Sequence, residues 1–362
     1  MRKSILLTMA AVSLASFTAA FAAEPGQLDF SGRPLSDALP PGNAPGDPTT
    51  LMPKGQRLIS AFGERPVFSP DGTKLAFIGH SYGDAFEYDM RTHTLRNLTA
   101  HMPHRGFLRV HYLGDGSFLL LGPHEKGATM EETRQKKIEM FWLDRGATQA
   151  AVPLGPVVFE GVATSRATNR IAWTEMLPRG STMASATGTL LRTAEVVIDG
   201  GSARLGKVED VTMFSPCLGE AQDFLPGDKG VTAPCYTMDR AFPGGVRTEV
   251  VSVDFASKAV TRYPTPPGLY GEVEGLFPDG KRTLVECSGD RSAGMDLCVL
   301  DLKVRDPRYT RITRIMDFGR WKYGNPVVSP DGRTIAAQVG SADVIDVGMG
   351  LGIVLIDVPA GF

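Results

Sequence analysis

From Leu51 onward the chain repeats one pattern of apolar and polar stretches. An extended run is followed by a tight turn, a second apolar run, a variable loop, and a third run that ends near an aspartate. Short apolar runs bounded by turn residues are strand signals. The repeat length is on the order of 50 residues, which points to one repetitive architecture rather than two unrelated domains.

The turns are the clearest part of the repeat. Pro66 to Ile78 contains Ser69-Pro70-Asp71-Gly72, and Pro326 to Ala337 contains Ser329-Pro330-Asp331-Gly332. A third copy has Pro278-Asp279-Gly280, and weaker copies centre on Asp115, Thr168 and Asp228. In Ser-Pro-Asp-Gly, proline fixes φ at the second turn position and aspartate bonds its own backbone, while glycine takes the positive φ that closes a hairpin. Each copy therefore predicts a hairpin of strands a and b. The third runs predict strand c: Phe86 to Met90, Ile138 to Leu143, Ala194 to Ile198, Glu249 to Val253, Asp296 to Leu302 and Gly352 to Ile356. A more polar strand d follows in the early units, as in Leu95 to Thr99.

Six units result, and the last has too little chain after strand c for its own strand d. The segment Gln56 to Ser60, ahead of the first strand a, has the pattern of the missing strand. The expected fold is all-β: a six-bladed β-propeller of four-stranded blades over residues 51–362, its last blade completed by the N-terminal strand, which leaves no unpaired edge. The Ser-Pro-Asp-Gly units resemble the WD-repeat-like blades of TolB-type propellers. That resemblance implies a propeller, but fold alone does not give function.

The segment before the blades adds export to the picture. Residues 1–22 carry Arg2 and Lys3, the apolar run Ile5 to Phe17, and Ala20-Phe21-Ala22, the three parts of a secretory signal peptide cleaved after Ala22. Residues 23–50 are crowded with proline and glycine and read as a tether or surface strap. Periplasmic or secreted localisation follows. The mature chain has no stretch of the roughly 20 apolar residues a membrane helix needs. A formal net charge of −2 with interspersed signs gives no footprint for nucleic acid or an anionic membrane.

Four cysteines in an exported chain, without CxxC spacing, predict disulfides rather than metal ligands. Of three possible connectivities, proximity along the chain favours Cys217 with Cys235 and Cys287 with Cys298. Cys287 ends a strand b and Cys298 begins the strand c that pairs with it.

In a propeller the a-to-b and c-to-d connections share one face, and the b-to-c and d-to-a connections share the other. Here the a-to-b turns are tight. The long loops, 122–137, 176–192, 237–247, 288–295 and 340–350, are all b-to-c, so function is expected on that face. All six histidines lie between His80 and His124. Four of them, His80, His101, His104 and His124, are expected in one sector of the long-loop face, with Asp84, Glu125, Glu131 and Glu132 nearby. Such a sector is a candidate divalent metal site or general base, with His104 and His124 the candidate catalytic residues. His93 is expected on the opposite face and His111 within a strand a. Surface histidines are common, however, and no HExxH spacing is present.

No GxSxG elbow and no phosphate-binding loop occurs. The leading expectation is therefore a non-catalytic protein that binds a cell-envelope protein, peptide or glycan on the long-loop face and needs no cofactor. The alternative is a metal-assisted lyase or hydrolase acting on a saccharide through the histidine sector.

Overall fold

The structure, a computed structural model, describes Leu39 and residues 41–303, 305, 307–343 and 350–362. The expected signal peptide, most of the proline-rich segment, and the core of the last b-to-c loop lie outside the described residues.

Six antiparallel sheets form the blades of a propeller. Blade 1 comprises Glu64–Phe68, Lys74–Ile78, Ala85–Asp89 and Leu95–Asn97 as strands a to d. Blade 2 comprises Arg109–Tyr112, Phe118–Pro123, Ile138–Leu143 and Val152–Val157. In blade 3, Val162–Thr164, Arg170–Leu177 and Gly188–Asp199 are followed by a strand d in two pieces, Ser202–Leu205 and Glu209–Phe214, both paired with strand c. Blade 4 instead divides strand a, into Leu218–Gly219 and Asp223–Phe224, ahead of Gly230–Met238, Val246–Asp254 and Val260–Tyr263. Blade 5 comprises Tyr270–Leu276, Arg282–Ser288, Asp296–Asp301 and Tyr309–Arg311.

Blade 6 takes Trp321–Val328, Thr334–Ser341 and Gly352–Asp357 from the C-terminal end, and Gln56–Ser60 pairs with the last of these as strand d. Gln56 stands opposite Ile356 and Leu58 opposite Val354. The two ends of the chain thus close the ring within one sheet, as expected, and remove an edge that would otherwise template pairing with another chain.

The turn chemistry holds at atomic level. Gly72 N donates to Ser69 O (2.9 Å), Ser69 Oγ donates to Asp71 Oδ1 (2.6 Å), and Gly72 has φ +72°. The Ser329 to Gly332 turn repeats these bonds, with Ser329 Oγ 2.6 Å from Asp331 Oδ1. The hydrophobic core lies between facing blades rather than in one mass. Leu119, Trp142, Val162 and Trp173 pack between blades 2 and 3, and Phe77, Ala336, Ile353 and Leu355 between blades 6 and 1.

Both expected cysteine pairs are joined, Cys217 with Cys235 and Cys287 with Cys298, at Cα separations of 5.4 and 5.8 Å. Cys298 faces Val285 across the ladder, so Cys287 is its diagonal neighbour, within reach of a bridge. Leu39 is buried in the same core, and Gly42 N donates to Met316 O, which holds the described part of the proline-rich segment against blade 5 as a strap.

The loop lengths need correction. Regular pairing in blade 3 runs out to Leu177 and Gly188, and in blade 4 to Met238 and Val246. The connections there are residues 178–187 and 239–245, shorter than the expected loops 176–192 and 237–247. Backbone pairing continues through polar residues such as Thr189 and Arg192 because each still faces a cross-strand partner.

Candidate functional site

Strand a of each blade lines the axis, and four of the six depart from regular pairing there. Register shifts fall between Glu64 and Val67, between Val273 and Leu276, and between Gly324 and Val327. In blade 4 the break between the two pieces of strand a holds Glu220, Ala221 and Gln222. A bulge re-aims the side chain it carries. Here the bulged residues include Arg65, Glu220, Glu274 and Asn325, all polar. Arg65 (φ 53°), Asn325 (φ 44°) and Glu160 (φ 61°), just ahead of the blade 3 strand, occupy the left-handed region that non-glycine residues disfavour.

These residues meet others from the b-to-c loops. The helix Met130–Lys136 sits in the blade 2 loop, capped by Thr129 Oγ1, which accepts from Glu132 N (3.0 Å), while Glu132 Oε2 accepts from Ala128 N (2.8 Å). The helix carries Arg134 to Glu160, whose two oxygens each lie 2.8 Å from Arg134 Nε. A hydrogen-bonded chain then crosses three blades. Arg109 Nη2 donates to Glu220 Oε1 (3.0 Å), Tyr236 Oη contacts Glu220 Oε2 (2.9 Å) and Glu272, Tyr270 Oη contacts the other oxygen of Glu272, and Arg291 Nη1 donates to Tyr270 Oη (3.3 Å). Asn325 N donates to Glu286 Oε1 (2.5 Å) alongside.

Burial governs the charge state of this cluster. It pushes Glu220 up to about 8 against the pull of Arg109, and Glu286 up to about 7. Glu274 rises well above the usual carboxylate range through burial, reinforced by Glu286 and Glu272. Glu220 and Glu286 therefore hold protons near neutral pH, set among arginines at the axial mouth of the long-loop face, while Glu160, against its burial, is lowered by Arg134. Phe159, Met176, Leu218, Tyr236 and Tyr270 pack together beneath this face. Beside the mouth, a groove of about 480 Å³ between blades 2 and 3 is lined by Lys136, Phe159, Glu175, Met176, Arg179 and Arg192.

The histidines are distributed differently. His104 Nε2 is 2.9 Å from Asp84 Oδ1, and His104 Nδ1 accepts from Gly106 N (2.9 Å), so both ring nitrogens are engaged and the proton sits on Nε2. Aromatic contacts connect His104 to Phe107, Phe107 to Phe141, and Phe141 to His124. His80 Nδ1 faces Ser81 O (3.0 Å). His101 Nε2 bonds Gln149 O (2.8 Å), in the c-to-d connection of blade 2. Glu125 is exposed, and Glu131 accepts from Gln135 Nε2 (3.2 Å). His93 occupies the blade 1 c-to-d turn, and His111 lies in strand a of blade 2, where burial lowers it to about 3. Among the described residues, no group of three or more His, Cys, Asp or Glu is arranged to hold a metal ion.

The fold and this axial cluster define a six-bladed β-propeller with a polar mouth on the long-loop face. No family model and no curated protein matches the chain. Among solved structures it is similar to Kuenenia stuttgartiensis hydrazine synthase (13% identity, TM-score 0.51, covering 83% of this chain and 96% of that chain). It is similar to an oligogalacturonate lyase in complex with manganese (13% identity, TM-score 0.51, covering 91% and 98%). TolB from Acinetobacter baumannii also matches (12% identity, TM-score 0.47, covering 84% and 64%). At these identities the likeness is one of fold.

Proposed function

We propose that this chain is an exported β-propeller that binds a glycan or peptide of the cell envelope at the axial mouth of its long-loop face. The observation that carries the reading is the repeated irregularity of strand a. Separate blades each set a polar residue on the axis by a bulge or a left-handed residue, at a backbone cost a purely structural channel does not need. Export is supported by the two joined cysteine pairs and by the charged and apolar pattern of residues 1–22. No helix among the described residues is long and apolar enough to cross a membrane.

A second reading, an enzyme acting on a saccharide, is favoured by one specific feature. Glu220, Tyr236 and Glu272 form a hydrogen-bonded set that holds a dissociable proton, as general acid–base chemistry requires. Screening the purified protein on glycan and peptide arrays, with the bound material re-examined for cleavage, tests both. Binding without turnover supports the first reading, product formation the second, and no binding on either array contradicts both.

A further inference from the structure

Below the mouth the axis encloses a cavity of about 70 Å³, whose lining includes Arg65, Arg109, His111, Arg166, Gln222 and Glu274. Arg166 reaches from blade 3 to the opposite blade, where Nη2 donates to Val328 O (3.0 Å), and so spans the tight-turn end of the channel.

Among the described residues, four buried side-chain atoms of the cavity wall have no partner: Arg65 Nε, Arg109 Nε, His111 Nε2 and Gln222 Nε2. Two of the four, Arg65 Nε and Arg109 Nε, can only donate. Arg65 and Arg109 are more than nine-tenths buried. The nearest carboxylate oxygen of Glu64 is 3.8 Å from Arg65 Nη1, too far for a hydrogen bond. We infer that this chamber is a binding site for a small monovalent anion, a halide or a free carboxylate, held by Arg65, Arg109 and Gln222.

Size and charge agree with that ligand. The volume suits a few atoms, since a liquid water occupies roughly 30 Å³. Burial raises both wall carboxyls, Asp223 and Glu274, the latter well above the usual carboxylate range, which lessens their repulsion of an anion. Burial lowers Arg65 to about 10, as expected of a guanidinium without a full counter-charge.

The chamber shares Arg65, Arg109 and Glu274 with the cluster at the mouth, but its test does not involve the ligand of the mouth. Crystals of the full chain soaked in sodium bromide should show an anomalous peak between Arg65 and Arg109. Thermal unfolding should give a higher Tm in chloride, bromide or formate than in gluconate, which is too large to enter, at equal ionic strength. Formate that displaces the bromide peak assigns a carboxylate site; formate without effect on it assigns a halide site. Arg65→Gln should abolish the salt-specific rise. If that variant does not fold, Gln222→Met should raise the half-saturating anion concentration about tenfold, the worth of one charge-assisted hydrogen bond. No anomalous peak in the wild-type chamber, or equal Tm in all four salts, overturns the inference.

Discussion

The hydroxyl of Tyr236 lies 2.9 Å from Oε2 of Glu220 while also contacting Glu272. A phenol has one hydrogen to donate, so it cannot donate to both carboxylates at once. One contact runs the other way, from a protonated Glu220 to the phenol oxygen, because burial pushes Glu220 up to about 8.

That proton makes stability depend on pH. Glu220 and Glu286 rise from an ordinary 4.5 to about 8 and about 7. The folded chain therefore binds more protons than the unfolded chain between these values. Their contribution is fully present below pH 4.5 and is lost as pH climbs through 7 to 8. Each retained proton is worth at most about 1.4 kcal/mol per pH unit. Tm should fall between pH 5 and pH 8, and Glu220→Gln should flatten the decline. A Tm that rises across that interval contradicts the assignment.

The tight-turn face should affect folding rather than recognition. Asp71 Oδ1 accepts from Ser69 Oγ, Thr73 N and Thr73 Oγ1. Asp71→Ala should destabilise the protein by about 1 kcal/mol, read by urea denaturation, and leave ligand binding unchanged.

Ring closure by Gln56–Ser60 predicts a second folding effect. Deleting residues 51–62 bares the edge of Gly352–Asp357, and light scattering should then report aggregation at concentrations where the full chain stays monodisperse.

The cysteine pairs give a covalent check. Non-reducing peptide mapping should recover Cys217 with Cys235 and Cys287 with Cys298. Replacing Cys287 and Cys298 by alanine should cost about 2–4 kcal/mol.

The sequence displays what is local. The Ser-Pro-Asp-Gly turns, the place of strand c in each unit and the closing role of Gln56–Ser60 could all be read because each rests on contiguous residues and a fixed period, though strand c of blade 3 starts at Gly188, ahead of the expected Ala194. The axial cluster could not be found in that way. Arg65, Arg109, Glu160, Glu220 and Glu272 stand about a blade apart and share no motif, and a bulge leaves little trace in composition. One signal was present: charged residues within or just ahead of otherwise apolar a strands, as in Glu272-Val273-Glu274. The histidines show the reverse. They crowd together along the chain, yet His101 bonds a c-to-d connection while His104 faces Asp84, because the link between blades 1 and 2 carries them to different neighbours.

The central claim is that recognition occurs at the axial mouth of the long-loop face. It is tested most directly by measuring the affinity of Arg291→Ala and Glu272→Gln, beside Asp71→Ala, for whichever array ligand the wild type binds. The first two variants should weaken Kd at least about tenfold with Tm nearly unchanged, and Asp71→Ala should bind as the wild type does. Unaltered binding by both mouth variants, with loss in Asp71→Ala, would place recognition on the opposite face and contradict the account.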